Sequence, residues 1–383
     1  MNENQPIFEG LSPVDDEPTP PRAKRTRLPR ICLVFYAYFL LSLALFIVCL
    51  CSPAFADGFN RTVSASIRAV LSYLTGWIPF SLAEYLLILS PLLLFLVVRF
   101  SMKRFSASWR EVGRFCLALL AVLSLVGAIF LSSFAPAYHT STLDEKLGLE
   151  KTEVSADELY ETAEILLWSM ERELTEISFA TSGFSVMPYG LDGMNDRLMT
   201  AFKTVSDEYD FLPRLQSRIK PVMLSDAMSY THITGVYSFF TGEANLNVAF
   251  PDYTLPYTAA HELAHQRGIA REDEANFMAF LVCIASDDAY IRYCGYRNLY
   301  DHVISALYEA SPDYYVASIR RAPRAVTREM AAYSQFFEKY RDTVVADVSE
   351  TVNDTFLTIQ GTEGTKSYGM VVDLAVAYYR ADH

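Results

Sequence analysis

Residues 254–283 read TLPYTAAHELAHQRGIAREDEANFMAFLVC, and this stretch is the most informative part of the chain about its second half. Alanine and leucine surround His261 and His265, which favours a helix, and Gly268 is placed to end it. Because residues four apart lie on one face of a helix, the two imidazoles can meet a single metal ion. A second helix is expected to start near Arg271. The stretch therefore predicts two helices joined by a tight turn.

The pattern His-Glu-x-x-His within this stretch is typical of catalytic zinc. His261 and His265 would each supply one ring nitrogen to Zn²⁺. Glu262 follows the first ligand directly, so its carboxylate can reach a water whose pKa zinc lowers to about 7. The simpler alternative is an amphipathic helix whose histidines are surface or capping residues. We expect the zinc site, with Glu262 as the general base.

A catalytic zinc also needs a third protein ligand and one open position. The nearest candidates are Glu272, Asp273 and Glu274 in the second predicted helix. Glu272 would share a face with Asn276, whose amide is suited to hydrogen-bond a ligand. Glu274 would point about 200° away from Glu272, so the two cannot both bind one ion. Any unused carboxylate is explained by the favourable field at a helix N-terminus.

The two parts of the chain differ in charge. Of 383 residues, 1–136 contain 12 Lys or Arg against 8 Asp or Glu, whereas 137–383 contain 20 against 37. A basic, apolar front with an acidic second half indicates a membrane anchor that carries a soluble domain. The acidic surplus argues against a nucleic-acid partner, because phosphate binding needs a basic face.

Three apolar runs are each long enough to cross a ~30 Å hydrocarbon core as a helix. They cover about residues 31–52, 78–98 and 115–135. Basic residues cluster before the first run and between the second and third, whereas only two lie between the first and second. The Pro-rich, polar composition of residues 1–30 predicts a disordered tail. The positive-inside rule predicts that this tail is cytoplasmic and that residues 137–383 form an extracytoplasmic domain at the plasma membrane.

Two details of the membrane part leave alternatives. Ala54-Phe55-Ala56 resembles a signal-peptidase site, and cleavage there would leave two membrane helices with the same orientation. Glu84, within the second run, is either a functional intramembrane carboxylate or a residue near the interface that reaches lipid headgroups. We expect an uncleaved first helix and an interfacial Glu84.

The rest of the soluble half mixes helices with short strands. Ser155 begins a capping-box pattern, and a further helix is expected over 194–209. Residues 220–225 and 235–240 are rich in strand formers, and after a turn at 241–245 a third strand is expected over 246–250. The domain is therefore predicted to be α+β and mainly helical.

The remaining candidate residues are two cysteines, two histidines and three tyrosines. Cys283 and Cys294 are interpreted as two buried free thiols, with a disulfide as the alternative. His232 and His302 are interpreted as ordinary polar residues, since neither has a partner at metal-ligand spacing. A donor to the transition state is also required, and the candidates are Tyr293, Tyr296 and Tyr368.

The motif His261-Glu-Leu-Ala-His265 followed by Glu272-Asp-Glu-Ala-Asn276 resembles the gluzincin superfamily of zinc metallopeptidases. That resemblance implies a zincin-like fold, a bound Zn²⁺ and Glu272 as the third ligand. Glu274 remains the alternative, because the interval between His265 and Glu272 is shorter than in many gluzincins. The whole layout also resembles a bacterial multi-pass membrane family known only as a domain of unknown function (3810 type), in which three helices precede a soluble zincin-like domain.

The expected function is that of a membrane-anchored zinc metallopeptidase, with the lipid bilayer and an unknown protein or peptide substrate as partners. It would hydrolyse peptide bonds of extracytoplasmic polypeptides through a metal-activated water, with Glu262 as base. The alternative is a non-catalytic membrane receptor or assembly factor with a structural or vestigial metal site. A zinc amidase or esterase is a weaker third possibility, because the motif activates water without specifying the acyl group.

Overall fold

The computed structural model describes residues 28–105, 109–341, 343–360, 362 and 370–381, and for 101–105 it describes the backbone alone. The expected cytoplasmic tail lies almost wholly outside these residues. The described chain is mostly helical, with one small sheet. Its α-helices, numbered in chain order, are α1 Arg30–Cys51, α2 Pro53–Phe59, α3 Ala65–Gly76, α4 Leu82–Phe105, α5 Trp109–Ser133, α6 Leu143–Leu147, α7 Ala156–Glu173, α8 Leu191–Glu208, α9 Ser225–Ser229, α10 Leu255–Gln266, α11 Glu272–Ile284, α12 Ala289–Ala310, α13 Pro312–Arg321, α14 Arg324–Phe337, α15 Val344–Ile359 and α16 Val371–Ala381.

Three helices are long and apolar enough to cross a membrane, as the sequence predicts. They are α1, the part of α4 that ends at Phe100, and α5 extended to His139, with mean hydropathies of 2.6, 2.0 and 2.6. The second helix begins later than expected because Ser81 caps it, with its hydroxyl accepting a hydrogen bond from the main-chain nitrogen of Glu84 at 3.0 Å. These helices indicate that the chain is associated with a membrane.

Glu84 makes contacts that the sequence did not indicate. Its two carboxylate oxygens accept hydrogen bonds from the main-chain nitrogens of Met223 and Leu224, both at 2.8 Å. In return, Glu243 accepts bonds from the first two N–H groups of α4, at 3.1 and 2.9 Å. These bonds join the second membrane helix to the second half of the chain, and the interfacial position expected for Glu84 stays a prediction.

The connection between the first two membrane helices also packs into the soluble half. α2, a π-helical turn at Asn60–Ser64 and α3 form one continuous helical segment. Arg68 on α3 is 1% exposed, and it donates to Asn60 Oδ1 at 2.9 Å and to the Arg267 carbonyl at 3.4 Å. Asn60 in turn donates to the Gly268 carbonyl at 3.0 Å. Burial lowers the pKa of Arg68 to about 10, and its charge lies at the favourable C-terminal end of α10.

The helix predicted from the capping box is present. Ser155 accepts a hydrogen bond from the main-chain nitrogen of Glu158, whose carboxylate accepts one from the Ser155 nitrogen, and α7 follows. The next predicted helix is present as α8, which begins three residues before the expected residue 194. Both helices bury one apolar face, as their periodicity indicates.

The sheet has three short strands, β1 Lys220–Pro221, β2 Gly235–Ser238 and β3 Glu243–Leu246, in the order β1-β3-β2. β1 is parallel and β2 antiparallel to β3. The third strand was expected over 246–250, and that prediction is wrong. Gly242, at φ 70°, donates to the Ser238 carbonyl at 2.8 Å and closes the turn early, so the chain is extended again from Glu243.

The core surrounds α10 and α11. Every residue of α10 is buried, and α11 is buried from Glu272 to Cys283. α7, α12 and α16 pack with them in one continuous apolar cluster. Cys283 and Cys294 lie in this cluster as buried free thiols, which agrees with the interpretation from sequence. The two helices that carry the candidate metal ligands are therefore held rigidly by packing on both sides.

Candidate metal centre

The tight turn after α10 brings its histidines to the start of α11. The main-chain nitrogen of Gly268, at φ 94°, donates to the His265 carbonyl at 2.9 Å, and that of Ile269 donates to the Ala264 carbonyl at 3.1 Å. These two bonds form a Schellman motif, which needs a residue that tolerates a positive φ. The chain then enters α11 at Glu272, so that the first turn of α11 faces the end of α10.

Three side chains converge at this corner. Glu272 Oε2 lies 3.2 Å from His261 Nε2 and 3.6 Å from His265 Nε2. The ring centroids of the two histidines are 4.5 Å apart. One donor atom from each of the three residues lies within 4.8 Å of the others. The structure thus brings together the ligand set that the sequence predicts.

The donor chemistry of the three residues fits zinc. His265 Nδ1 lies 2.7 Å from the Ile269 carbonyl, which can only accept, so the ring proton is on Nδ1. A bound metal would take the lone pair of His265 Nε2, the ring nitrogen that faces Glu272. Two imidazole nitrogens and one carboxylate oxygen form the donor set of many catalytic zinc sites, and a carbonyl that orients a ligand histidine is a common supporting contact.

The electrostatics of the corner favour a cation. Burial lowers the pKa of His265, but the charge of Glu272 and the hydrogen bond to it raise the pKa more, to about 9. Burial likewise raises the pKa of Glu272, while the charge of His265 and hydrogen bonds to both imidazoles bring it below its usual range. A buried carboxylate between two imidazoles thus attracts positive charge, whether a proton or a metal ion.

Glu262 lies beside the three ligands and outside the set that converges. Burial raises its pKa, the charges of His261 and His265 oppose that effect, and a hydrogen bond from the Tyr237 main chain lowers it further. β2 passes very close: a Cβ atom at Gly235 would lie 2.6 Å from Glu262 Oε1. A strand at the sheet edge therefore holds the carboxylate next to the ligands.

The neighbouring acids have other partners. Glu274 Oε1 accepts a hydrogen bond from Arg271 Nη1 at 2.7 Å and one from the main-chain nitrogen of Leu143 at 2.9 Å. Burial and the charge of Glu274 raise the pKa of Asp273 to about 6. Of the three acidic residues in this turn, Glu272 is therefore the one whose carboxylate lies beside His261 and His265. This position favours Glu272 over Glu274 as the third ligand.

Two of the three candidate transition-state donors, Tyr293 and Tyr296, hydrogen-bond residues outside the ligand set. Tyr293 donates to Glu329 Oε2 at 2.7 Å, Tyr296 hydrogen-bonds the Ser169 side chain, and Tyr368 lies outside the described residues. His302, interpreted from sequence as an ordinary polar residue, lies on α12, which packs against α10. Burial lowers its pKa, the charge of Asp301 opposes that effect, and the charge of His261 adds to it. No spacing pattern could have revealed it, because the two helices are distant in sequence.

The metal centre lies next to the end of the third membrane helix. Phe134 follows α5 directly, and its ring centroid lies 5.9 Å from that of His265 and 5.1 Å from that of Tyr237. Tyr138, four residues later, packs in the same small apolar cluster. A single aromatic layer therefore separates the candidate ligands from the end of α5.

Comparison with known proteins gives one match. A family model described as "Protein of unknown function (DUF3810)" matches residues 59–376, which include the last two candidate membrane helices, the sheet and the whole candidate metal centre. No curated protein and no solved structure matches the chain.

Proposed function

Because the chain belongs to the DUF3810 family, whose description assigns no function, we propose one from its own metal centre: a membrane-anchored zinc metallopeptidase that hydrolyses extracytoplasmic polypeptides. One observation carries the proposal. His261, His265 and Glu272 converge within 4.8 Å, while Glu262 lies beside them without joining the set. Three ligands and one spare carboxylate are typical of a catalytic site, whereas a structural zinc site normally fills all four positions.

Each residue has a role that its position supports. His261, His265 and Glu272 would hold Zn²⁺, which when bound lowers the pKa of water and polarises a substrate carbonyl. Glu262 accepts a proton from the attacking water at its carboxylate and later gives it to the leaving amine. His302 lies on α12, which packs against α10, and its imidazole is our candidate to donate a hydrogen bond to the developing negative charge.

The surroundings support a peptide substrate. β2 is an edge strand of the sheet, and the edge of a sheet can bind an extended peptide through main-chain hydrogen bonds. Gly235 allows that edge to approach Glu262 closely. A zincin-like arrangement, with the motif helix beside a sheet and the third ligand on the following helix, forms part of the same proposal.

The location supports a substrate close to the membrane. The ring of Phe134, at the end of α5, contacts His265, so a scissile bond in the centre lies near the membrane surface. The distribution of basic residues places that surface outside the cytoplasm. We therefore propose that the substrates are polypeptide segments close to the outer face of the plasma membrane.

The test is metal content measured by plasma mass spectrometry. It uses the full chain in detergent or nanodiscs, because Asn60 and Arg68 of the first connection pack against α10. We expect one zinc per chain in the wild type, loss of that zinc in Glu272→Ala, and retention in the matched control Glu274→Ala. Well-folded wild-type protein that holds no zinc after zinc is added would refute the proposal.

A second measurement separates catalysis from structural metal binding. Internally quenched peptides are offered to the wild type and to Glu262→Gln, which keeps the size of the side chain and removes its basicity. We expect Glu262→Gln to retain zinc and to lose hydrolysis. If both proteins retain zinc and the wild type cleaves no peptide, the metal site is structural and the receptor or assembly-factor alternative replaces the peptidase.

A further inference from the structure

Helix α15 carries an exposed apolar stripe along its whole length. With 100° of rotation per residue, five apolar side chains fall within a sector of about 80°. Their exposed fractions range from 38% for Phe356 to 75% for Ile359. The α15 apolar stripe consists of Val345, Val348, Val352, Phe356 and Ile359. A stripe of this extent on a soluble surface marks a contact with another apolar surface.

The other faces of α15 are either packed against the rest of the protein or charged. Ala346 and Leu357 are buried against the soluble half. The acidic side chains of the helix, Asp347, Glu350 and Asp354, lie roughly opposite the α15 apolar stripe. α15 contains no lysine or arginine. The helix thus has a large apolar face and a charged face, which suits a helix lying in a lipid–water interface and excludes one that spans the bilayer.

The position of α15 relates it to the membrane helices. The ring centroid of Phe356 lies 6.1 Å from that of Phe130, which belongs to the third candidate span. Phe130 precedes the end of α5 by three residues, so the last turn of α15 lies level with the last turn of α5. Leu357, the next residue, packs with Phe134, which follows α5 directly. Val126, one helical turn before Phe130, is 38% exposed, so the α15 apolar stripe continues the exposed apolar surface of α5.

A second exposed apolar segment lies at the corresponding end of α4. Met223 and Leu224 are 61% and 48% exposed, and both main-chain nitrogens bind the carboxylate of Glu84 in the first turn of α4. Trp77, which precedes α4, is 80% exposed. Exposed apolar side chains thus surround the ends of two different candidate spans, which is the arrangement expected of a surface that faces lipid.

We propose that α15 lies in the lipid–water interface of the bilayer, on the side where α5 ends, with its apolar stripe inserted among the phospholipid acyl chains. A phospholipid bilayer is the occupant that the continuity with α5 favours, because the same membrane already surrounds that helix. Insertion is driven by apolar burial, since α15 offers no basic residue to anionic lipid. The helix then holds the soluble half against the membrane independently of any metal.

The test places a tryptophan on each face of α15 in the full chain. Val352→Trp lies in the apolar stripe, and Glu350→Trp, two residues earlier, lies about 200° around the helix. Each protein is reconstituted into phosphatidylcholine vesicles, with and without bromine on the acyl chains. Emission of the added tryptophan is obtained by subtracting the wild-type signal of three tryptophans. Val348→Trp serves as a second stripe variant in case Val352→Trp folds poorly.

We expect the tryptophan of Val352→Trp to emit at shorter wavelength, to lose most of its emission in brominated vesicles and to resist aqueous acrylamide. Glu350→Trp should show the reverse. Equal acrylamide quenching of both variants, with no effect of bromine, would overturn the proposal because the stripe would face water. Resistance to both quenchers would also overturn it, since a protein surface would then cover the stripe. Neither result depends on zinc or hydrolysis, so the proposed peptidase function is tested separately.

Discussion

Substitution of Gly235 by alanine is expected to displace Glu262 without affecting the metal ligands. The added Cβ would lie 2.6 Å from both Cγ and Oε1 of Glu262. Carbon atoms in contact prefer about 3.5–4.0 Å, so the Glu262 side chain must move by about 1 Å. Gly235 has no positive φ, so alanine adds no backbone strain there. We therefore expect the substitution to act by shifting the Glu262 side chain.

The expected magnitudes follow from that displacement. Inserting one methyl group into a packed region costs about 1–3 kcal/mol of folding stability. A displacement of about 1 Å at a catalytic group can lower turnover about 100-fold. The three atoms nearest the added carbon all belong to Glu262, and none belongs to His261, His265 or Glu272. We therefore expect the zinc content to stay at the wild-type value. Gly235→Ala should thus retain metal and fold while losing most of its hydrolysis.

The assay combines three measurements on one preparation: zinc per chain, thermal midpoint, and rate on the best peptide from the quenched-peptide screen. Gly190→Ala is the control, because a Cβ there meets no atom within 4 Å. Wild-type turnover by Gly235→Ala would refute the assignment of Glu262 as the base. Loss of zinc together with activity would also contradict it, since β2 would then support the ligands.

Three further predictions concern other parts of the chain. Glu243→Gln should lower the free energy of unfolding in urea by about 3–5 kcal/mol, because it leaves the charge of the buried Lys220 ammonium, 2.6 Å away, without its carboxylate partner. Adding Lys220→Met should recover part of that loss. No recovery would contradict the ion-pair argument. Hydrogen bonds from Ser155 lower the pKa of Glu158 to about 2 from 4.5, so its carboxylate stabilises the fold above about pH 4.5 and loses that effect as pH falls towards 2. The difference in urea midpoint between wild type and Glu158→Gln should accordingly shrink over this range, and a constant difference would contradict it. Cys283 and Cys294 should resist alkylation, mapped by mass spectrometry, until the protein unfolds, since both thiols are buried. Modification of either thiol in the folded protein would contradict this prediction.

The ligand set could be predicted from sequence because its geometry is local. His261 and His265 are separated by one helical turn, and Glu272 follows after a turn that Gly268 makes possible, so a few residues of regular backbone determine where all three side chains point. The choice between Glu272 and Glu274 needed the tertiary structure, since it depends on Arg271 and Leu143 binding Glu274 instead.

Contacts between distant segments were not predictable in the same way. His302 has no motif around it, and its position relative to His261 results from the packing of α12 against α10. The early start of β3 depends on the turn at Gly242. The partners of Glu84 are the main-chain N–H groups of Met223 and Leu224, which are about 140 residues away in sequence and come beside it only in the folded chain.

The sequence by itself determined the three apolar helices, the helix that carries His261 and His265, and the α7 capping box. Each depends on length, periodicity or spacing within one segment, where the backbone geometry of a helix is sufficient. Only the tertiary structure decided that the first connection packs against α10 through Arg68, and that α15 lies beside α5 with an apolar stripe exposed. Such contacts depend on the complementarity of surfaces far apart in the chain, which no local pattern encodes.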